Sequence, residues 1–466
     1  MEIYMKKIKI GFLPLYVKLY DDGAPAMRGR INAFAKEIAE LIKAREGTEV
    51  IAADVCRLEE EFEEAVALFE REKVDSIVTL HLAYSPSLES ERVLKKTGLP
   101  LVILDTTPNY AFTDDEDAGA ISFNHGIHGV QDMCNLLVRN GKQFFIEAGH
   151  YLESDVIDRV ISRVRGIKIA NEFRKSRVGT IGGAFSGMGD FRLPEKLYGE
   201  IGIERIELSS EEAKKYFEGV TDAEIDALTV ADKEKYEIAS DIPEGTLRNA
   251  LRGDLAVRKW IDENGLTAFT ANFLTVGKDF GLSGVPFAEA NRAMERGIGY
   301  AGEGDVLTSA FTGALMSVSS EASFIEMFCP DWKNNLIFIS HMGEMNTALS
   351  CDKPRYMIKP MRYSDIDTTW LCGTYKEGEA TLINLLPVAE GGFRVIVSLV
   401  EMKVPGCDKF RGSSTCGWFK PGKNIGVFLE DYSKLGGTHH LNLAYGDMRK
   451  AAEAFAEVMG FEYFEI

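Results

Sequence analysis

The chain has 466 residues, of which 45% are hydrophobic and 27% are charged, and its formal net charge at pH 7 is −19. This length exceeds what one compact core usually holds, so we expect two or three folded domains. The acidic excess argues against binding to nucleic acid or to an anionic membrane surface, because phosphate binding requires a basic surface.

The sequence contains no apolar run long enough to span a bilayer. Its first twenty residues resemble a secretory leader, but Pro14 and Lys18 interrupt the apolar run and favour a buried strand instead. The seven cysteines are scattered and form no Cys-x-x-Cys pair, which argues against a disulfide framework or a thiolate zinc site. We therefore expect a cytoplasmic protein.

The first third of the sequence alternates short apolar runs with amphipathic stretches. Strands are predicted at 8–15, 49–53, 75–80, 101–104 and 144–148, and helices at 28–45, 58–72, 88–96 and 129–139. This alternation predicts βαβ units and a parallel sheet covered by helices on both faces. Ligands of such sheets bind at the carboxyl ends of the strands. Because no Gly-x-Gly-x-x-Gly follows the first strand, the sequence gives little support for a dinucleotide.

The middle of the chain again mixes helix and strand. A charged helical stretch at 154–176 leads into a strand at 177–181 and a glycine-rich loop at 182–190. Further elements are predicted as a helix at 246–263, a strand at 268–273, and helices at 286–296 and 305–317. This pattern predicts a second α/β domain that begins near residue 175.

Beyond residue 321 the pattern becomes β-rich. Strands are predicted at 336–339, 368–374, 380–386 and 394–401, separated by turns that contain glycine, and a last helix at 446–459. This pattern indicates an antiparallel sandwich or barrel. We therefore predict an α/β protein of three domains, 1–175, 176–320 and 321–466, with parallel sheets in the first two and an antiparallel β-rich third.

Four short motifs in the second half of the chain carry acidic residues and histidines. They are Gly302-Glu303-Gly304-Asp305, Ser323-Phe-Ile-Glu326, Ser340-His341-Met-Gly-Glu344 and Gly436-Gly-Thr-His439-His440. Each motif has an ordinary structural explanation as well, such as a solvent-facing turn for Glu303 or a capping histidine for His341. Glu326 lies in an apolar run, where a carboxylate needs either water or a cation nearby.

Taken together, these motifs supply two carboxylates and one or two imidazoles. A donor set of oxygen and nitrogen suits Mn²⁺, Co²⁺, Mg²⁺ or Fe²⁺. An open position on such an ion would accept neighbouring oxygens of a polyhydroxylated or phosphorylated substrate. The residues alone therefore predict a metal-dependent enzyme that acts on an oxygen-rich small molecule.

The same motifs resemble those of the L-arabinose isomerase family, within the wider L-fucose/L-arabinose isomerase group. The segment 299–305 resembles that family's (F/Y)AGEGD motif, 323–326 its SFMED motif, 340–342 its SHM motif and 436–440 its GGAHH motif. The resemblance implies that Glu303, Glu326, His341 and His440 bind a divalent metal, most simply Mn²⁺, with Co²⁺ or Mg²⁺ as alternatives. His439 is the less certain of the two adjacent histidines, since the family ligand matches the second.

Weaker similarities extend into the rest of the chain. The segments 80–86, 124–129 and 268–273 are similar to the family's LHTFSP, NQTAHGG and AFTTTF segments. The resemblance implies that five residues contact the sugar: Tyr84, His125, His128, Met188 and Phe273. The segment 13–20 departs from the family's SQHLYG turn, which leaves the identity of the sugar open. For each of the five, a packed core or loop residue is the alternative interpretation.

The resemblance also implies a fold, an assembly and a reaction. The first two domains would be Rossmann-like, and the protein would form a homotrimer or homohexamer with active sites between subunits, where His128 reaches a neighbouring site. The implied reaction is aldose–ketose isomerisation of a free pentose or hexose, such as L-arabinose or a sugar of the L-fucose or D-galactose type. It would proceed by proton transfer through an enediol, with Glu303 as base and Glu326 as acid. A metal-assisted hydride shift would use the same residues.

Two other functions remain open from the sequence. One is a sugar-binding protein without turnover, which would not need Glu303 and Glu326 together. The other is a metal-dependent hydrolase or lyase of phosphorylated compounds. That reaction would need cationic side chains near the site, for which only scattered candidates exist at Lys18, Lys359 and Arg362.

Overall fold

The computed structural model of the chain describes residues 7–116, 118–360, 367–404, 406, 410 and 414–466. The chain forms two compact units, Lys6–Lys168 and Ile169–Ile466. Among the described residues, no helix is both long enough and apolar enough to cross a membrane. The division into three domains remains a prediction, as does the cytoplasmic location.

The first unit contains a five-stranded parallel sheet in the order β2-β1-β3-β4-β5. Its strands are β1 Ile8–Leu15, β2 Thr48–Ala52, β3 Ser76–His81, β4 Leu101–Asp105 and β5 Phe145–Ala148. Its helices are α1 Lys18–Gly23, α2 Arg28–Lys43, α3 Glu59–Glu72, α4 Ser87–Lys96, α5 Ala118–Asn124, α6 Gly126–Arg139 and α7 Val156–Phe173, the last of which ends in the second unit. All six residues of β3 are buried, as expected for a strand covered on both faces. The predicted parallel sheet is confirmed.

The second unit opens with a four-stranded parallel sheet in the order β10-β9-β6-β7. These strands are β6 Arg177–Ile181, β7 Glu204–Leu208, β9 Ala268–Ala271 and β10 Gly299–Gly302. The helices of this part are α8 Glu195–Glu200, α9 Ser210–Glu218, α10 Asp222–Lys235, α11 Glu244–Glu263, α12 Phe287–Glu295 and α13 Val306–Met316. Strands β7 and β10 were not predicted from the sequence, because β7 has an exposed, charged pattern and β10 is only Gly-Tyr-Ala-Gly.

The β-rich part of the second unit contains a closed barrel. Its six strands are β11 Ala322–Asp331, β12 Leu336–His341, β15 Gly378–Pro387, β16 Phe393–Lys403, β17 Thr415–Pro421 and β18 His440–Tyr445. They pair antiparallel in the order β15-β18-β11-β12-β17-β16, and β16 pairs with β15 to close the ring. The predicted antiparallel β-rich region is confirmed, in its barrel form.

Three further elements and a separate small sheet belong to the second unit. Strand β19 Glu462–Glu465 pairs parallel with β16, and helices α14 Ile425–Lys434 and α15 Arg449–Met459 follow β17 and β18 in the chain. A separate small sheet joins β8 Glu237–Ile238, β13 Arg355–Pro360 and β14 Asp367–Cys372. The strand predicted at 368–374 therefore exists, but it belongs to this small sheet.

The core of the second unit is continuous around helix α12. All nine residues of this helix are buried, including the charged Glu289, Arg292 and Glu295. The Asn291 side chain donates to the carbonyls of Gly343 and Leu371, both at 2.8 Å. Helix α12 therefore supports the segment that directly follows β12, which carries residues of the candidate site.

Candidate active site

Glu303 lies in a tight turn between β10 and α13. Its φ of +65° places it in the left-handed region, and Gly304 follows at +87°. The two glycines of the motif make room for protein groups. A Cβ on Gly302 would lie 2.8 Å from the His341 ring, and one on Gly304 would lie 2.4 Å from the backbone of Ala184.

Three other predicted ligands come from neighbouring barrel strands. Glu326 on β11 lies opposite His440 on β18 in the strand register, and opposite Ser340 on β12 on its other side. His341 is the last residue of β12 and directly follows Ser340. Strand pairing therefore brings together Glu326, His341 and His440, which are separated by as many as 114 positions in the sequence.

These four side chains converge with His439 in two overlapping groups that share His440. The first contains Glu303, His439 and His440, and the second contains Glu326, His341 and His440. Within each group the candidate ligand atoms lie within 4.8 Å of one another. The Nε2 atom of His440 lies 3.7 Å from Glu303 Oε2, and that of His341 lies 3.7 Å from Glu326 Oε2.

Each of the three histidines is held at Nδ1 by a carboxylate. Glu344 holds His341 at 2.7 Å, Asp305 holds His440 at 3.0 Å, and Asp190 holds His439 at 2.6 Å. A carboxylate can only accept, so the Nδ1 atom carries the hydrogen and Nε2 is left for another partner. A carboxylate behind a histidine is the usual support of a metal-binding imidazole.

The carboxylates behind the two predicted histidine ligands are themselves fixed. Glu344 also accepts from the Gly343 backbone at 2.8 Å and from the Tyr300 hydroxyl at 3.0 Å. Asp305 caps helix α13 by accepting from the Thr308 backbone at 2.9 Å. Glu344 and Asp305 lie within the quoted motifs, but neither was assigned a role from the sequence. Glu344 lies three positions after the ring that it supports, which is a local signal, whereas Asp305 supports His440, 135 positions later.

The donor set fits a divalent ion. Among the described residues, His440 Nε2 is a buried polar atom without a hydrogen-bond partner, and its ring is fully buried. Burial of such an atom is costly unless something binds it. Together with two nearby carboxylates and a second oriented imidazole, it forms an oxygen and nitrogen set of the kind that borderline divalent ions prefer.

Burial and neighbouring charges displace the pKa values of the two carboxyls in opposite directions. For Glu303, burial raises the pKa, but the hydrogen bond from His439 and the nearby histidines outweigh it, and the pKa is lowered. For Glu326, burial dominates over the attraction of His341, and the pKa is raised. Burial lowers the pKa of His341, yet the charge of Glu344 and its hydrogen bond raise it overall to about 9.

Three of the predicted sugar contacts form a separate aromatic cluster in the first unit. Tyr84 follows β3, and its ring stacks on His128 with centroids 4.4 Å apart. His125 Nε2 lies 3.0 Å from the Tyr20 hydroxyl, and burial and the charge of His128 lower the His125 pKa. Ala83, just before Tyr84, has a φ of +119°, which non-glycine residues rarely adopt.

The remaining predicted contacts lie in the second unit. Met188 is half-buried in the glycine-rich loop after β6, whereas Phe273 is buried in the main core, where its ring lies 5.8 Å from that of Phe185. Of the cations considered for phosphate, Lys18 pairs with Asp22 at 2.6 Å and Lys359 lies over the Trp370 ring. Arg362 lies outside the described residues.

Similarity to known families covers more than half of the chain. Residues 200–321 match the L-arabinose isomerase central domain, and residues 321–462 match the L-arabinose isomerase C-terminal domain. The first match contains Glu303, and the second contains Glu326, His341, His439 and His440. The predicted resemblance to this family is therefore confirmed.

Full-length relatives give the same result. The L-arabinose isomerase of Herpetosiphon aurantiacus is 24% identical over 400 residues, which cover 82% of this chain and 78% of the relative. That of Lactiplantibacillus plantarum is 25% identical over 407 residues, covering 84% of each chain. That of Oceanobacillus iheyensis is 23% identical over 413 residues, covering 85% of each. This chain belongs to the L-arabinose isomerase family and is an aldose–ketose isomerase, an intramolecular oxidoreductase of carbohydrate metabolism.

Proposed function

We propose that the protein is a metal-dependent isomerase that converts L-arabinose into the corresponding ketose. The observation that carries this proposal is the convergence of two carboxylates and three carboxylate-supported histidines from four separate segments. The choice of L-arabinose is supported by the names of the relatives, which are L-arabinose isomerases.

Four residues would hold the metal: Glu303, Glu326, His341 and His440. Mn²⁺ is the ion that we propose, with Co²⁺ and Mg²⁺ as alternatives, because all three accept a mixed oxygen and nitrogen set. When bound, a divalent ion supplies Lewis-acid polarisation of the sugar carbonyl, which makes the proton on C2 acidic enough for a carboxylate to remove. The buried carboxylates at His341 and His440 fix the ring orientation that this binding requires.

Glu303 and Glu326 are proposed to carry out the proton transfers of the reaction. In the proposed route Glu303 takes the proton from C2 and returns it to C1, while Glu326 exchanges protons with the sugar oxygens, through an enediol. The two groups are suited to different roles because Glu303 is in a turn beside His439 and His440, whereas Glu326 is on a barrel strand beside His341. A hydride shift from C2 to C1 would use the same residues to hold the sugar.

Other parts of the proposal come from the resemblance. Tyr84, His125, His128, Met188 and Phe273 are proposed to contact the sugar, and the active protein is proposed to be a homotrimer or homohexamer with sites between subunits. The aromatic cluster of Tyr84, His125 and His128 supports a role in sugar binding, because aromatic faces and ring nitrogens suit a polyhydroxylated ligand. Light scattering after size-exclusion chromatography tests the assembly.

The experiment that tests the function is removal of metal with a chelator, followed by restoration of Mn²⁺, Co²⁺ or Mg²⁺ one at a time. Each form is incubated with L-arabinose, L-fucose and D-galactose while ketose formation is followed. We expect no activity without metal, and the largest restored activity with Mn²⁺ and L-arabinose. The Glu303→Gln variant should remain folded and form no ketose.

Two results would count against the proposal. If no metal restores ketose formation from any of the three sugars, the isomerase assignment to this site is wrong. If the chelated protein is fully active, the metal dependence is wrong, although the isomerase activity would stand. A preference for L-fucose or D-galactose would correct the substrate alone.

A further inference from the structure

Asp190 ends the glycine-rich loop that follows β6 and bonds to His439, 249 positions later in the chain. Its Oδ2 atom accepts two hydrogen bonds from that residue, one from the backbone N–H at 3.1 Å and one from ring Nδ1 at 2.6 Å. Because backbone and ring are held by the same oxygen, the ring has one favoured orientation. In that orientation His439 Nε2 lies 3.5 Å from Glu303 Oε2.

The same loop makes two further contacts with the site. The Phe191 ring, next to Asp190, stacks on His440 with centroids 5.3 Å apart and an interplanar angle of 12°. The Phe185 backbone N–H donates to the Glu303 carbonyl at 2.8 Å. The loop 182–190 and Phe191 therefore contact Glu303, His439 and His440 at once.

Asp190 differs from the other two carboxylates that hold histidines. The side chains of Glu344 and Asp305 are fully buried, whereas that of Asp190 is 37% exposed and its partner His439 is 24% exposed. His341 and His440, the two proposed histidine ligands, are already oriented by Glu344 and Asp305. In the proposed ligand set Asp190 therefore orients none of the metal ligands, and its partner His439 is partly exposed.

We propose that Asp190 is a positioning residue for the isomerisation, which acts through His439 by holding its Nε2 atom beside Glu303. This inference rests on the proposed function, since it concerns the same reaction. A positioning role differs from a role in metal binding in one respect: loss of Asp190 should slow turnover while the metal ligands stay in place. The Asp190 side chain itself has no direct contact with the proposed ligands among the contacts of the described residues.

The test compares Asp190→Ala and Asp190→Asn with the wild-type protein, each loaded with Mn²⁺. Carboxylates that orient metal-binding histidines contribute about 10–100-fold to activity, and by analogy we expect a loss of that order in kcat for Asp190→Ala with little change in KM. Asp190→Asn keeps a neutral acceptor, which is roughly half as strong, so its kcat should fall only about 3–10-fold. Mn²⁺ affinity, measured by calorimetry on metal-free protein, should stay within about 3-fold of wild type in both variants.

A double-mutant cycle with His439→Gln tests whether Asp190 acts through that histidine. If it does, the Asp190→Ala/His439→Gln double variant should be no slower than His439→Gln alone. The matched control is Glu195→Gln, which removes an exposed carboxylate five positions along the chain that bonds to Arg205. This control should keep wild-type kcat, KM and Mn²⁺ affinity.

Three results would overturn the inference: a kcat of Asp190→Ala within about 2-fold of wild type, a loss of Mn²⁺ affinity that parallels the loss of kcat, or additive effects in the cycle. None of these depends on the identity of the sugar. Failure of the proposed function is recognised separately, because the wild-type protein would then form no ketose in the same assay. The calorimetric comparison would still report whether Asp190 affects metal binding.

Discussion

Glu344 lies fully buried behind His341, where it accepts from the ring, from the Gly343 backbone and from the Tyr300 hydroxyl. Glu344→Gln keeps the volume but removes the charge that orients His341. We expect Mn²⁺ affinity to fall by about 10–100-fold, as measured by calorimetry on metal-free protein. The control Glu321→Gln, an exposed carboxylate that pairs with Lys376, should bind Mn²⁺ as the wild type does. Unchanged affinity in Glu344→Gln would mean that Glu344 does not support metal binding through His341.

Protonation of His341 makes metal binding depend on pH. Burial lowers its pKa, but the charge and the hydrogen bond of Glu344 raise it to about 9, so the metal-free protein carries this proton at pH 7. A histidine ligand must be neutral, so binding releases the proton. We expect Mn²⁺ affinity to rise by up to about 10-fold per pH unit between pH 6.5 and 8. Calorimetry in buffers of different ionisation enthalpy counts the released protons, and binding without proton release would contradict this.

The same raised pKa has a consequence for the metal-free protein alone. A histidine whose pKa is higher in the folded state stabilises that state fully below its ordinary pKa of 6.5, and the stabilisation is lost as pH rises through about 9. The stability of the metal-free fold therefore changes with pH in the opposite direction to the Mn²⁺ affinity. Alkaline conditions weaken the contribution of His341 to the metal-free fold, and they favour the metal-bound form.

At the scale of elements, helix α12 supports the site through a buried ionic cluster. Arg292 bonds to Asp232 at 2.5 Å and to Asp254 at 2.9 Å, and all three side chains are at most 5% exposed. Met345 donates its backbone N–H to Asn291 of the same helix at 2.8 Å, which ties α12 to the segment after His341. The position of His341 therefore depends on a helix that carries none of the proposed ligands.

Removal of Arg292 should destabilise the protein strongly. Arg292→Met leaves two buried carboxylates without their cation, and breaking such a cluster typically costs about 3–5 kcal/mol. A lowered urea midpoint, followed by tryptophan fluorescence, measures the effect. The matched control is Arg248→Met on α11, because Arg248 also pairs with two aspartates, Asp222 and Asp226, but in an exposed cluster. Its loss should cost at most about 1 kcal/mol, and an equal loss in both variants would contradict the argument.

Buried strands were easier to predict from the sequence than exposed or very short ones. The runs 8–15 and 75–80 were predicted because strands buried on both faces are continuously apolar, and β1 and β3 have that pattern. Strand β7 was missed because it is an edge strand with a mostly exposed pattern, and β10 because its four residues give no period. Local sequence gave no sign that β18 pairs with both β11 and β15, or that 368–374 pairs outside the barrel, since the partners of strands distant in the chain are set by tertiary packing.

At the scale of the whole molecule, the site combines residues that no local pattern connects. Glu303, Glu326, His341 and His440 were chosen from the sequence through their motifs, and the structure places them together. Asp190 was not predicted as a site residue, because its partner His439 lies 249 positions away in the chain. A glycine-rich loop predicts a tight turn. That the carboxylate of Asp190 at the end of this loop accepts from His439 is visible only in the folded structure. The proposed ligands were thus predictable where motifs carry them, whereas the pairing of Asp305 with His440 and of Asp190 with His439 was not.

Convergence of four segments predicts how metal binding should protect the protein. Mn²⁺ at 100 times its dissociation constant stabilises the folded state by about 2.7 kcal/mol. Because the proposed ligands lie in 299–305, 322–331, 336–345 and 436–445, we expect slower hydrogen exchange in peptides from all four segments together. Peptides from 8–81 in the first unit should exchange at the same rate with and without Mn²⁺. Hydrogen-exchange mass spectrometry on metal-free and Mn²⁺-loaded protein measures this.

The control for this exchange experiment is His440→Gln, which removes the imidazole shared by both candidate ligand groups. Because His440 links the Glu303 group to the Glu326 group, its loss should abolish protection in all four segments at the same Mn²⁺ concentration. Glu195→Gln should leave the protection unchanged, because its carboxylate lies in an exposed pair with Arg205. If Mn²⁺ protected only one segment, or protected the first unit instead, the ion would bind elsewhere and the four-segment site would be wrong.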